Sequence, residues 1–168
     1  MADPNDWPLP PSNLDTTNVF AHSASNGTIT FYFQSIDHKE LMVINIKLNS
    51  IFVEDQNKAL KFYTEILGFE KKVDVPAGEH AWLTVGHEKS EFELLLEPNV
   101  HPAAKSYQKA IYKDGIPSTM FFVDDLNVEF ERLTSLGVNF KSEPTEMGSV
   151  KIAVFDDTCG NLISLCQQ

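Results

Sequence analysis

The chain nearly repeats itself after an interval of seventy residues, and this repeat restricts its possible folds more than any other feature. The segment FVEDQN at residues 52–57 returns as FVDDLN at residues 122–127. The helix-ending LGF at 67–69 returns, one residue early, as LGV at 136–138. Such an interval is too long for a solenoid unit and too short for an ordinary independent domain. It predicts two copies of a strand–helix–strands module that bury their open faces on each other and leave a cleft for a ligand.

Length and composition indicate one globular domain in a reducing compartment. The 168 residues, 42% of them apolar, are enough for a real hydrophobic core. No run reaches the roughly 18 consecutive apolar residues of a membrane-spanning helix, and the N-terminus lacks a secretory signal. The only cysteines, Cys159 and Cys166, exclude a disulfide framework and complete no zinc pattern. We therefore expect a cytoplasmic protein in which both thiols are ordinary buried residues.

The formal net charge of −11 limits the partners of the chain. Nucleic-acid binding needs a basic surface, so we expect no nucleic-acid partner, and no membrane partner is expected either. The acidic balance is compatible with a cationic ligand, although it also serves solubility alone.

A change in sequence character near Met42 suggests a domain boundary. Residues 1–41 are rich in Pro, Ser, Thr and Asn and show no amphipathic period, although residues 29–33 could form one short strand. Residues 42–168 alone would make a complete two-module domain. We expect the leader either to be vector-derived, with the native start at Met42, or to be a native arm that packs on the domain or on a partner.

Alternation, helical periodicity and turn residues predict an α+β fold: two tandem βαβββ modules forming a curved mixed sheet around a central cleft. Module one is expected at about 43–99, a linker helix at about 100–114 and module two at about 115–168. In module one the predicted strands are 44–53, 69–75, 81–85 and 92–97, with a helix at 57–67. In module two they are 119–123, 138–140, 150–155 and 162–165, with a helix at 127–136.

Both copies and the turn near the C-terminus carry a family resemblance. The segments are FVED and ALKFYTEILGF within residues 52–69, FVDDL at 122–126 and FDDTCGNLI at 155–163. Together they resemble the vicinal oxygen chelate superfamily, which includes glyoxalase I, bleomycin-resistance proteins, fosfomycin-resistance enzymes and extradiol dioxygenases. The resemblance covers about residues 43–167. In the closing turn, Asp157 stands where the family has proline.

The resemblance implies four metal-ligand positions, two in each module, and the repeat interval locates them in this chain. They are Leu48, Leu95, Ser118 and Ser164. Catalytic zinc takes about three nitrogen, oxygen or sulfur ligands from the protein. Leucine supplies no donor atom, and a neutral serine hydroxyl is a poor ligand. We therefore expect no metal and no cofactor, which disfavours the glyoxalase, fosfomycin-resistance and dioxygenase activities together.

Two carboxylates flank one of these positions. Strand alternation puts Glu93 and Glu97 on the same face as Leu95, which is the cleft face if the resemblance holds. A buried carboxylate with a raised pKa can act as a general base, so both are candidate catalytic residues. The alternative is that they lie at wet strand ends or pair with a base such as Lys151.

The rest of the cleft face is expected to form an apolar, aromatic cup with few polar groups. Such a cup is typical of a small-molecule pocket, although aromatic residues at strand spacing are equally typical of a filled core. The candidate ligand-binding residues are Leu48, Ser50, Phe52, His80, Trp82, Leu95, Ser118, Met120, Phe122, Phe155 and Ser164.

Three functions follow from these features. The favoured hypothesis is a metal-free small-molecule-binding protein, similar to the bleomycin-resistance branch, that holds an aromatic or cationic ligand. The second is a lyase, isomerase or dioxygenase of the superfamily that uses Glu93 or Glu97, or metal ligands relocated to histidines such as His80, His87 or His101. The third is an interaction protein with a closed pocket. Because open sheet edges must be paired or protected, we also expect a homodimer.

Overall fold

A computed structural model describes residues 44–168. The predicted leader at 1–41, the boundary at Met42 and the possible strand at 29–33 lie outside the described residues. The chain divides into two units, Met1–Ile46 and Lys47–Gln168. Of the first unit only residues 44–46 are described, as exposed coil. All elements given below belong to the second unit.

The second unit consists of two modules with the same order of elements, which confirms the predicted α+β fold. Module one contains β1 (Leu48–Val53), α1 (Gln56–Lys61), β2 (Glu70–Ala77), β3 (His80–Gly86) and β4 (Glu93–Pro98). The linking helix α2 (Pro102–Lys113) follows. Module two contains β5 (Thr119–Phe122), α3 (Leu126–Ser135), β6 (Phe140–Met147), β7 (Val150–Asp156) and β8 (Leu162–Gln167).

Each module forms its own four-stranded mixed sheet. The strand orders are β1-β4-β3-β2 and β5-β8-β7-β6. The first strand of each module pairs in parallel with the last, and the other pairs are antiparallel. The predicted curved sheet is therefore present as two separate sheets and is not closed. In both sheets the first strand of the module is an edge strand.

The sequence repeat encodes the helix starts. Asp55 and Asp125 hold the N-cap positions of α1 and α3, each in an extended backbone conformation. Each carboxylate accepts hydrogen bonds from the two backbone N–H groups two and three residues ahead, at 2.8 to 3.1 Å. Such caps satisfy donors that have no partner within the helix. Gly68 and Gly137 follow the two helices with φ of 79° and 84°, a conformation that favours glycine.

The predicted helix at 57–67 is not regular throughout. α1 ends at Lys61 and continues as a wider π-helical turn over Phe62–Ile66. The turn is closed by a hydrogen bond of 3.1 Å from the Leu67 N–H to the Phe62 carbonyl, five residues apart. The extra width lets the adjacent side chains of Phe62 and Tyr63 both enter the core, where their rings meet edge to face at 5.9 Å.

The main core is shared by both modules and lies on the helix-facing side of the sheets. Phe155 belongs to this core, so its predicted position on the cleft face is wrong. Its side chain is fully buried, with its ring centroid 6.2 Å from that of Phe62 and 5.7 Å from that of Phe140. The reason is the period of two along β7: Phe155 pairs with the core residue Ile163, and the side chains one position away point to the opposite face.

A buried carboxylate joins the modules at the turn between β7 and β8. Asp157 accepts hydrogen bonds from the Tyr63 hydroxyl at 3.1 Å and from the Asn161 side chain at 2.7 Å. The backbone N–H groups of Cys159 and Asn161 donate to its other oxygen at 2.8 and 2.9 Å. Burial raises the pKa of Asp157, and these hydrogen bonds act in the opposite direction. Four donors therefore fix the turn that the family builds with proline.

A buried glutamine from the linking helix completes this junction. The Gln108 amide nitrogen donates to the carbonyls of Phe52 and Cys159 at 2.7 and 3.2 Å, and its oxygen accepts from Asn99 at 2.5 Å. Gly160 makes room for it, because a Cβ there would lie 2.7 Å from the Gln108 amide nitrogen. The linker helix is thus attached to the end of β1 and to the closing turn at once.

Replacing Tyr63 with Phe should lower the free energy of unfolding by about 1–3 kcal/mol, because Asp157 then loses a buried donor. Urea denaturation followed by circular dichroism measures the change. Tyr107→Phe is the matched control, since Tyr107 is 59% exposed and its loss of a hydroxyl should leave the midpoint unchanged. Equal midpoints for both variants would contradict the importance of the buried hydrogen bond.

Candidate functional site

Module one carries a sheet face that points away from the main core. β1 and β4 pair in parallel, and residues paired across neighbouring strands have side chains on the same side. The pairs on this face are Leu48 with Glu93, Ser50 with Leu95 and Phe52 with Glu97. The face is accessible at the β1 edge, where Leu48 is 38% exposed and Phe52 is half-buried. The two candidate carboxylates therefore do lie beside Leu95, as alternation predicted.

β3 extends this face. Thr84 pairs with Leu95 and is fully buried. Trp82 and His80 alternate with Thr84 and so lie on the same side. Trp82 is half-buried, and His80 is exposed at the start of the strand. The structure thus brings the module-one candidates together on one surface, which we call the module-one face: Leu48, Ser50, Phe52, His80, Trp82, Leu95, Glu93 and Glu97.

Module two carries the equivalent surface, the module-two face. Met120 pairs with Ser164, and Phe122 pairs with Cys166. Met120 and Phe122, both in β5, are 42% and 61% exposed, so this face presents two large apolar side chains to solvent. Ser118 directly precedes β5, and its hydroxyl donates to the Asn161 side-chain oxygen at 3.2 Å.

Sequence reasoning missed three members of the module-two face. Ile152, Val154 and Cys166 lie on it, because Ile152 pairs with Cys166 and Val154 pairs with Ser164. Placing Phe155 in the core would have identified Ile152 and Val154, since β-strand side chains alternate.

The four family ligand positions do not offer a metal site. Leu95 and Ser164 are buried, while Leu48 and Ser118 are exposed. Two leucines and two neutral hydroxyls supply no strong donor to a divalent cation, so this residue set does not fit the family's metal centre. Within residues 44–168, no three His, Cys, Asp or Glu side chains are grouped as metal ligands.

Two of the histidines considered as relocated ligands, His87 and His101, accept local backbone hydrogen bonds. His101 caps α2, where its Nδ1 accepts from the Ala103 N–H at 3.1 Å. The His87 Nδ1 accepts from the Lys89 N–H at 3.2 Å in an exposed turn. Neither of these two histidines lies on the module-one face. His80 does lie on that face, according to the register of β3.

Glu93 and Glu97 occupy different environments. Glu93 accepts a hydrogen bond of 2.5 Å from the Thr84 hydroxyl, which itself accepts from the Val73 N–H at 3.1 Å. Glu97 is only 9% exposed, and burial raises its pKa, while a hydrogen bond with Ser50 acts in the opposite direction.

The alternative pairing of these carboxylates with Lys151 is wrong. The Lys151 Nζ lies 3.3 Å from a Glu146 carboxylate oxygen in the β6–β7 hairpin. None of the ion pairs in the described part of the chain includes Glu97. It is a sheltered carboxyl next to aromatic side chains.

This combination of tandem modules, parallel first and last strands and an apolar face agrees with the comparison with known families. The model of the Glyoxalase/Bleomycin resistance protein/Dioxygenase superfamily matches residues 36–165. The chain belongs to this superfamily. Its two βαβββ modules are therefore those of the glyoxalase fold, although the residues at the family's ligand positions differ.

The similar proteins include an uncharacterized protein and a protein described as antibiotic binding. Uncharacterized protein YurT of Bacillus subtilis is 57% identical over 127 residues, which are 74% of this chain and all of that protein. The crystal structure of UcmS2 has a TM-score of 0.67 and 34% identity and covers 76% of this chain and all of its own. TnmS3, an antibiotic binding protein from Streptomyces sp. CB03234, has a TM-score of 0.61 and 28% identity over 74% of this chain and 96% of its own.

The helices of residues 44–168 give no sign of a membrane span. None of them is both long enough and apolar enough to cross a bilayer.

Proposed function

We propose that this protein binds a small aromatic cation on its open sheet faces and that binding needs no metal. The observation that carries the proposal is the exposure of large apolar side chains on the faces opposite the core, together with the sheltered carboxyl of Glu97 on the module-one face. An apolar surface with few convergent polar groups is the usual composition of a small-molecule site. The description of TnmS3 as an antibiotic binding protein supports binding as a role for this fold.

Aromatic side chains on the module-one face would supply most of the contact area. Phe52 and Trp82 are half-buried there, so each retains ring surface that a ligand can cover. Aromatic rings attract both other rings and cations, because their faces carry negative charge density. Leu95 fills the base of the surface and is buried. The face thus offers an apolar surface with aromatic rings, and the Glu97 carboxyl would orient a charged ligand on it.

Glu97 suits the recognition of a cation. Glu97 pairs across the strands with Phe52, and the nearby Ser50 side chain favours its charged form. A partly desolvated carboxylate gains more from a cationic partner than one in bulk water does. Glu93, whose oxygen is already bonded by Thr84, contributes negative potential to the same surface.

The pH dependence of binding tests this role. Affinity for N-methylquinolinium should rise as pH increases through the pKa of Glu97, which lies above its ordinary value of 4.5, because only the carboxylate attracts the cation. Quenching of Trp82 fluorescence measures binding in a Trp7→Phe background, where Trp82 is the one remaining tryptophan. Glu97→Gln should weaken binding by about tenfold near neutral pH and flatten the profile.

The controls are uncharged naphthalene and the variant Glu91→Gln. Naphthalene should bind more weakly and show no pH dependence through this range. Glu91 is an exposed carboxylate that pairs with Lys47 at 3.0 Å, so its loss should not change quenching. Equal affinities of Glu97→Gln and the parent protein would contradict the proposal.

We further propose that the protein is a homodimer in which the second copy covers part of the open faces. β1 and β5 are edge strands, and the apolar side chains beside them are exposed. Unpaired edges with apolar neighbours invite association. A second copy would turn two shallow surfaces into walled cavities, which a tightly held ligand requires.

A charge on the module-two face should prevent this association. Phe122→Glu should sediment as a monomer in analytical ultracentrifugation, because it places a charge where we expect an apolar contact. Val128→Glu is the matched control, since Val128 on α3 is 62% exposed and Phe122 is 61% exposed. A dimeric Phe122→Glu variant, or a monomeric parent protein, would refute this arrangement.

A second candidate function is metal-independent proton transfer. The raised pKa of Glu97 favours it, since a general acid or base is most effective when its pKa lies nearer to the working pH. Deuterium exchange into the α-carbon of phenylacetone, followed by NMR in heavy water, tests this function. Exchange should require Glu97 and be lost in Glu97→Gln. An unchanged exchange rate in that variant would remove this candidate.

A further inference from the structure

A groove of about 460 Å³ lies at the junction of the modules and has no role in the proposal above. Its volume falls within the range of about 300–1,000 Å³ that small-molecule pockets occupy. We call it the junction groove, and its lining residues are Glu54, Lys58, Gln108, Lys109, Tyr112, Asn139, Asp156, Thr158 and Gly160. Every lining residue except Gly160 carries a polar side-chain group, so the chemistry of the groove differs from that of the open sheet faces.

The groove is lined by two lysines in a chain whose formal net charge is −11. The Lys58 ammonium donates to the carbonyl of Thr158, a neutral acceptor. Lys109 projects from an exposed position on α2. Neither lysine forms an ion pair with any carboxylate of residues 44–168. Two uncompensated ammonium groups therefore line one cavity.

Of the two carboxylates in the lining, Asp156 is already compensated. It accepts from the Tyr112 hydroxyl at 2.5 Å and from the Thr158 N–H at 2.7 Å, and the Lys141 ammonium lies 3.4 Å away. Burial alone would raise the pKa of Asp156, but these hydrogen bonds and Lys141 outweigh burial and lower it. Asp156 therefore remains charged and paired.

The second carboxylate, Glu54, is exposed and forms no ion pair within residues 44–168. Together with the two ammonium groups that form no ion pair, it gives the groove both a positive part and a carboxylate acceptor. A simple polyanion would be repelled by Glu54. A ligand that joins an anion to a hydrogen-bond donor satisfies both parts.

The backbone of the groove is strained at one position. Thr158 has a φ of 62°, which is rare for a β-branched residue. Its N–H is held by Asp156, and its carbonyl is held by Lys58. Strain of this kind persists only where surrounding contacts enforce it, and it is concentrated at binding and catalytic sites.

We propose that the junction groove binds a small molecule that carries a phosphate or carboxylate oxyanion next to a hydroxyl or amino group. Lys58 and Lys109 receive the oxyanion, and Glu54 accepts a hydrogen bond from the neighbouring donor. The Tyr112 hydroxyl and the Asn139 amide line the remainder of the site. The ligand class is thus opposite in charge to the one proposed for the sheet faces.

Isothermal titration calorimetry with glycerol 3-phosphate and with glycerate tests this assignment and distinguishes the two oxyanions. We expect saturable binding of at least one compound. Lys109→Gln should weaken that binding by about tenfold, because one charge-assisted hydrogen bond is lost. Lys105→Gln is the matched control, since Lys105 is exposed on α2 one turn before Lys109 and does not line the groove. It should leave the affinity unchanged.

Two results would overturn the proposal: no saturable binding of either compound, or an equal loss of affinity in Lys105→Gln and Lys109→Gln. The second result would show that the anion is attracted to the exposed lysines of α2 in general and not to a defined site. Quenching of Trp82 by N-methylquinolinium should be the same in Lys109→Gln and the parent protein. The outcome at the groove is therefore separate from the outcome at the sheet faces.

Discussion

The hydrogen bonds of Gln108 hold the end of β1, the linking helix and the closing turn in one arrangement. The side-chain amide of this residue is 2% exposed and bonds to Phe52, Cys159, Asn161 and Asn99. A buried amide without hydrogen-bond partners costs free energy. The network therefore favours this relative placement of the modules over placements that would break its hydrogen bonds. No buried side-chain nitrogen or oxygen in residues 44–168 lacks a partner, which shows how fully the junction satisfies its polar groups.

The exposed sheet faces follow from this arrangement. Because the helix-facing sides of both sheets are used for the common core, the opposite sides are left with Leu48, Phe52, Met120 and Phe122 at or near solvent. The glyoxalase fold thereby separates the residues of the core from the residues of the proposed binding surfaces. The side chains that hold the domain together are on one side of each sheet, and those that are free to contact other molecules are on the other. The loss of metal donors at the family positions therefore need not affect the core.

The sequence predicts the modules well, because their signals are local. Asp55 and Asp125 mark the helix starts through contacts within three residues. Strand alternation correctly places Glu93, Leu95 and Glu97 on one face of β4. Phe155 was placed on the wrong face because its hydrophobicity suits either side of a sheet, and only the pairing with Ile163 decides between them. The junction groove was missed for a different reason. Its lining residues are up to 106 positions apart in the sequence, as Glu54 and Gly160 are. No local sequence pattern predicts that such distant residues lie close together.

The parallel pairing of first and last strands also orders the events of folding. Leu48 pairs with Glu93, and Met120 pairs with Ser164, so each first strand meets its partner about 45 residues later in the chain. Ribosomes add about 5–20 residues per second, so β1 exists for roughly 2 to 9 seconds before β4 has been made. Contacts of such separation slow folding. During this interval β1 has no sheet to join, so the side chains of Ile51 and Val53, which the finished sheet buries, have no core to enter.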